Sequence, residues 1–236
     1  MVAVAGAAIV VLAGLAAVSL IGGGHPARAP AAGTPAPLAT YPSGADPYPS
    51  DHPAAGPVPP PVSQALTLGR PGAAVTIVEF GDYQCTNCGA FARDTQPALI
   101  RRYVDAGVVR LIWRDFPWVD GQSVDAAVAA RAAGTQGRFW AFHDYLFAHQ
   151  SADEHSGLVT GGYLRSVARR LGLNMAAFDR DVASPALAAA VRADGRFGQQ
   201  LGVPGTPAFL INGQPFFGAQ PLAAFEAAIA NARGGQ

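Results

Sequence analysis

The chain has 236 residues, half of them hydrophobic and 14% charged, with 16 basic residues balancing 16 acidic ones. That suffices for a real apolar core in one large domain, or in one domain with appendages. Every basic residue is an arginine, scattered among carboxylates without a basic stripe, which argues against an electrostatic grip on nucleic acid.

In chain order, residues 2–21 are an unbroken uncharged run, long enough at about 1.5 Å per residue to cross the roughly 30 Å hydrocarbon core of a bilayer. A secretory signal has a shorter apolar region, about 7–15 residues, behind a basic start. The run therefore reads as an uncleaved anchor, with Ala27-Arg28-Ala29 as the cleavage-like site if it is instead a signal segment. In both cases the remainder is expected outside the cytoplasm. No basic residue precedes the run and Arg28 follows it, so positive-inside support for a cytoplasmic N-terminus is lacking and a start upstream of Met1 stays open.

Residues 22–62 carry 12 of the 20 prolines, interspersed with Gly, Ala and Ser and with almost no apolar periodicity. Such a stretch cannot bury enough surface to offset its ordering entropy, and is expected to be a disordered linker, extended at about 3.1 Å per residue. It either spaces a folded domain from the membrane or is a plain junction.

Residues 63–236 read as the folded domain. The β-branched run 74–80, Ala-Val-Thr-Ile-Val-Glu-Phe, suits a buried central strand broken only by Glu79. Residues 86–106 suggest a helix with Phe91, Leu99, Ile100 and Tyr103 on one side and a bend at Pro97. A second buried strand at 108–116 completes a β-α-β unit. A long helical region follows from 123 to about 202, with Ser184 as N-cap before Pro185. Residues 208–211 and 215–218 form a hairpin turned at Asn212-Gly213, and a last helix opens with Pro221, shows Leu222, Phe225 and Ile229 on one face, and ends near Gly234.

The two cysteines, Cys85 and Cys88, lie in Phe80-Gly-Asp-Tyr-Gln-Cys-Thr-Asn-Cys-Gly, between the first strand and the helix. A bridge across two intervening residues closes almost no loop, so stability is a poor reason for it. Zinc would want a second pair of ligands, which none of the five histidines supplies, and covalent haem would need a histidine where Gly89 stands. The pair points to thiol-disulfide exchange, although CxxC by itself leaves metal binding and an inert pair open. At a helix N-terminus, Cys85 would gain acidity from the free N–H groups, while Cys88, one turn inward, would stay shielded.

Val78-Glu-Phe-Gly-Asp-Tyr-Gln-Cys-Thr-Asn-Cys, Arg114-Asp-Phe-Pro and Gly202-Val-Pro-Gly-Thr-Pro, in the order strand, CxxC helix, strand, helices, Thr-Pro, hairpin, helix, resemble the DsbA-like thiol-disulfide oxidoreductases of the thioredoxin superfamily. The resemblance covers about residues 63–233. It implies an α/β thioredoxin fold with an inserted helical domain at about 120–202, and a redox pair, Cys85 and Cys88, facing a cis Pro207. Thr206 would offer its backbone to a substrate strand. Glu79 would relay protons for Cys88, unless it is an edge residue facing solvent; Asp82 would cap or turn the entry to the helix. No cofactor or metal is expected. The implied partners are reduced exported proteins and a membrane protein, DsbB-like or vitamin-K-epoxide-reductase-like, for re-oxidation. Thr86-Asn87 replaces the Pro-His of strongly oxidising members, which implies a milder oxidant. The run Phe139, Trp140, Phe142, Tyr145 and Phe147 fits the core of the insert or a peptide groove. A reductase or isomerase of the same fold, a tethered peptide-binding domain with an inert disulfide, and a metal-binding module are the competing readings.

Overall fold

The computed structural model describes residues 58–234. The anchor or signal segment expected at 1–21 lies outside them, as does the expected linker up to residue 57. Val62, at the end of that linker, already packs against the core. No helix among the described residues is long and apolar enough to cross a membrane.

A 3-10 turn, Gln64–Leu66, leads into a two-residue strand β1, Thr67–Leu68, which the sequence did not announce. Strand β2 spans Val75–Gly81 and β3 spans Val109–Asp115. They pair in parallel, with Val78 opposite Ile112 and Glu79 opposite Trp113. Between them runs a continuous helix over 86–104: α1 (Thr86–Ala90), a π-helical turn (Phe91–Thr95), α2 (Gln96–Leu99) and a second π-helical turn (Ile100–Val104). The first π turn ends two residues before Pro97, the position where a bend is expected. Proline has no N–H for the α-helical ladder, and just before it Gln96 N–H donates five residues back to the Phe91 carbonyl.

Five helices separate β3 from β4: α3 (Gly121–Gly134), α4 (Phe139–Ala148), α5 (Gly161–Arg170), α6 (Met175–Val182) and α7 (Pro185–Gln200). Pro185 opens α7 as expected, but the Ser184 hydroxyl makes no capping bond. Strands β4 (Ala208–Ile211) and β5 (Gln214–Phe217) form the hairpin, turned by Asn212 and Gly213 at φ 46° and 82°, as a tight turn matched to strand twist requires. Helix α8, Leu222–Gly234, closes the chain.

The sheet order is β1-β3-β2-β4-β5, with β2 and β3 parallel and the remaining pairs antiparallel. Alternation along β2 divides its side chains between two layers. Val75 and Ile77 join Phe91, Leu99, Phe209, Phe225 and Ile229 in the layer under α1, α2 and α8. Val78 and Phe80 join Ile112, Phe116 and Phe197 on the α7 side. Glu79 falls in the first layer by this alternation, on the same side as the CxxC helix. Gly81 follows because Trp113 leaves no room: a Cβ there would lie 2.3 Å from the indole.

The insert is joined to the sheet by four buried charges. Arg114 Nη1 donates to Asp194 at 2.6 Å, and Arg131 donates to both Asp115 and Asp194. Two cations and two anions from β3, α3 and α7 thus neutralise one another where unpaired charge would be prohibitive. Phe139, Phe142 and Phe147 are core residues of the insert, and Phe147 packs on Tyr83 at 5.2 Å between ring centres, so the aromatic run is packing and not a peptide groove.

Candidate active site

Cys85 is the N-cap residue of α1, with φ −63° and ψ 117° and no side-chain cap bond. Where Ser or Asp would spend its side chain on the first free N–H groups, a thiol leaves them available to its own sulfur in the charged form. Cys88 follows one turn inward, completely buried, and Cys85 keeps 6% of its surface. Both thiols are free. Cys85 is thus the less buried of the two, with Gln150 and Glu154 of the segment after α4 bonded across the helix end.

The Thr206–Pro207 bond is cis. It brings the Thr206 carbonyl within 3.2 Å of Cys85 Sγ, so the thiol donates to it. Chain positions 121 residues apart meet there.

Acidity separates the two thiols. Cys85 is pulled from 9.0 down to about 6, first by the Cys88 thiol donating to it, against desolvation. The Thr206 hydroxyl and the backbone N–H groups of Cys88 and Asn87 add to the pull. That hydroxyl has no hydrogen-bond partner among the described residues, which leaves it available to a thiolate. Cys88 is pushed well above 9.0, first by burial, then by its bond to Cys85 and the charges of Cys85 and Glu79.

Glu79 is fully buried on the central strand β2, between Trp113 of β3 and Phe209 of β4, which excludes the solvent-facing alternative. Neither carboxyl oxygen has a hydrogen-bond partner among the described residues, and desolvation lifts its pKa from 4.5 to about 8. At neutral pH it is largely protonated and electrostatically coupled to Cys88.

Asp82 turns the entry to α1 and does not cap it: its backbone carbonyl accepts from Cys85 N–H at 3.2 Å. One carboxylate oxygen accepts from Gln84 N–H and the other from Trp118 and Val119 N–H at 2.6 and 2.8 Å, which fixes the β2 exit to the loop after β3. Three residues around the cysteines escaped the sequence reading. Gln84 donates to Asp120 and to the Ser123 hydroxyl. Gln150 Nε2 donates to the Tyr83 and Cys85 carbonyls at 3.0 and 2.9 Å. Glu154 accepts from both Thr86 N–H and Thr86 Oγ1. Gln150 can reach because Gly89 has no side chain: a Cβ would lie 1.9 Å from Gln150 Oε1. Among the described residues no group of three or more His, Cys, Asp or Glu could hold a metal ion.

Comparison with known proteins agrees with this geometry. A family model described as thioredoxin matches residues 62–231. The chain is 36% identical over 165 residues to Na(+)/H(+) antiporter NhaA 1 of Salinispora arenicola, a match covering 69% of this chain but 24% of that protein, so it spans only about a quarter of the antiporter's length. It is 31% identical over 154 residues to the probable disulfide bond formation protein D of Bacillus anthracis, covering 64% of this chain and 71% of that protein. The crystal structure of oxidised BdbD from Bacillus subtilis matches with a TM-score of 0.67 at 26% identity, covering 72% of this chain and 92% of that one. With an acidic outer thiol, a buried inner one and a cis proline beside the pair, the chain belongs to the thioredoxin family.

Proposed function

We propose that this protein works outside the cytoplasm as an oxidase that introduces disulfides into exported proteins. The observation that carries the reading is the unequal pair: Cys85 held at about 6 beside a buried Cys88 held well above 9.0. A thiol that ionises easily is also a good leaving group, and a reduced form stabilised in this way makes its disulfide oxidising. The relatives named for disulfide bond formation support the same direction.

In this mechanism a substrate thiolate attacks Cys85 Sγ of the Cys85–Cys88 disulfide. The S–S bond breaks, a mixed disulfide forms at Cys85, and Cys88 leaves as a thiolate that takes a proton from Glu79. A second thiolate of the substrate attacks the substrate sulfur of the mixed disulfide and expels Cys85 as the thiolate. The substrate gains a disulfide and the enzyme holds the two electrons. Thr206 and Pro207 line the approach to Cys85, where the Thr206 backbone pairs with the substrate strand. A DsbB-like or vitamin-K-epoxide-reductase-like membrane protein takes the electrons away. Residues 1–21 anchor or export the chain, 22–62 link it, and 63–236, with its helical insert, do the chemistry.

The test is Cys88→Ala expressed in the native envelope, with acid quenching and identification of proteins disulfide-linked to Cys85. Secreted clients with cysteine pairs are the expected catch. Capture of an electron donor alone would reassign the protein as a reductase, and no adduct at all would return the inert-disulfide reading.

A further inference from the structure

The segment between α4 and α5 forms a strap over the redox helix, and it brings a carboxylate to the site. Glu154 Oε1 lies 2.7 Å from Thr86 N and 2.9 Å from Thr86 Oγ1. Thr86 is the first residue of α1 and directly follows Cys85, so this N–H belongs to the positive helix end that favours a Cys85 thiolate. The sulfur draws on the Asn87 and Cys88 N–H groups, and the carboxylate holds the Thr86 N–H. Two negative charges would then share one helix end.

We propose that Glu154 is a positioning residue that tempers the oxidising strength of the Cys85–Cys88 pair by placing a like charge beside the outer sulfur. The inference rests on the exchange chemistry above and adds a setting for its strength. Other charged groups nearby have partners of their own: Arg93 donates to the Phe147 carbonyl and Gln150 Oε1, and Asp153 accepts from His155 N–H. Asp120 pairs with His155 at 3.6 Å on the exposed rim, Asp82 is spent on backbone N–H groups, and Glu79 is protonated beneath Cys88. Gln150 fixes the strap independently through the Tyr83 and Cys85 carbonyls, so the strap does not depend on the Glu154 charge for its place.

Glu154→Gln keeps an acceptor for Thr86 and removes the charge. The alkylation midpoint of Cys85 and the equilibrium of enzyme disulfide plus two glutathione thiols with enzyme dithiol plus glutathione disulfide should both be measured on wild type and variant. The midpoint should fall, and the dithiol should gain about two- to fivefold, the range a charge at a helix terminus supplies. Unchanged values in Glu154→Gln overturn the proposal, as does a change confined to Glu154→Ala, which would point to lost hydrogen bonding instead. A wild type that fails to exchange with glutathione sinks the exchange reading instead, and the alkylation midpoint of the variant still decides the role of Glu154.

Discussion

Glu79→Gln gives a quantitative test of the buried site. The side chain is fully buried, neither oxygen has a partner among the described residues, and its pKa rises from 4.5 to about 8. At about 1.4 kcal/mol per pH unit, that corresponds to roughly 5 kcal/mol by which the fold disfavours the ionised form. Below pH 4.5 the carboxyl is protonated folded or unfolded, and no penalty exists. Between 4.5 and about 8 the unfolded chain releases a proton that the folded chain retains, so stability falls as pH rises, and above about 8 the loss is complete.

Urea unfolding of the oxidised protein isolates the effect, since neither cysteine titrates in a disulfide. The stability difference, variant minus wild type, should grow by up to about 1.4 kcal/mol per pH unit from pH 5 to 8 and then flatten. The buried amide adds an offset without pH dependence, and other titrating groups cancel in the difference. Parallel curves across this range would refute the claim that burial holds the proton on Glu79, and with it the proposed relay to Cys88.

Other expectations follow from the same geometry. In the reduced protein Cys85 titrates in the opposite sense: its folded value near 6 lies below the ordinary 9.0, so its stabilisation is complete above 9 and is lost as pH falls through 6. Stability of the reduced form relative to the oxidised form should therefore rise with pH from about 6 to 9, measured by paired unfolding curves. Asp194→Asn leaves Arg114 and Arg131 short of a buried counter-charge and should cost about 3–5 kcal/mol in urea unfolding; a cost under about 1 kcal/mol would mean the charge cluster is not a staple. Gly89→Ala should displace the flexible Gln150 side chain, lose its two bonds to the Tyr83 and Cys85 carbonyls, and cost about 1–2 kcal/mol, with faster proteolysis across 150–160.

Local chemistry made most of the fold readable. The β-branched runs, Pro185 at a helix start and Asn212-Gly213 each act through their own backbone, and the structure puts β2, β3, α7 and the hairpin turn within a residue or two of the expected places. Pro97 marked an interrupted helix, but not the π-helical form of the turns at Phe91–Thr95 and Ile100–Val104. The cysteines and the cis Thr206–Pro207 bond were legible because each sits in a short distinctive string. Strand β1 has two residues, too few for any period; Asp82 turns the entry to α1 through Gln84 N–H, as one of its two expected roles had it, while its bonds to Trp118 and Val119, 36 and 37 positions away, have no local signal.

The same distinction runs through the site itself. Its interior comes from the sheet: alternation puts Glu79 on the side of the CxxC helix, and β3 and β4 on both flanks of β2 seal it from water. Glu79 could be singled out in the sequence because a carboxylate in an apolar strand is anomalous. The rim comes from the insert, through Gln150 and Glu154, ordinary polar residues in a polar stretch, 65 and 68 positions from the groups they bind. Nothing in a local pattern marks such residues, since their significance arises only when α4 docks beside α1. This division also separates two controls on one reaction: burial by the sheet governs the proton of the inner thiol, and the strap sets the charge facing the outer one. Changes at 79 and at 154 should therefore act on different sulfurs and combine additively in the glutathione equilibrium, whereas strong coupling between them would show that sheet and strap form a single electrostatic unit.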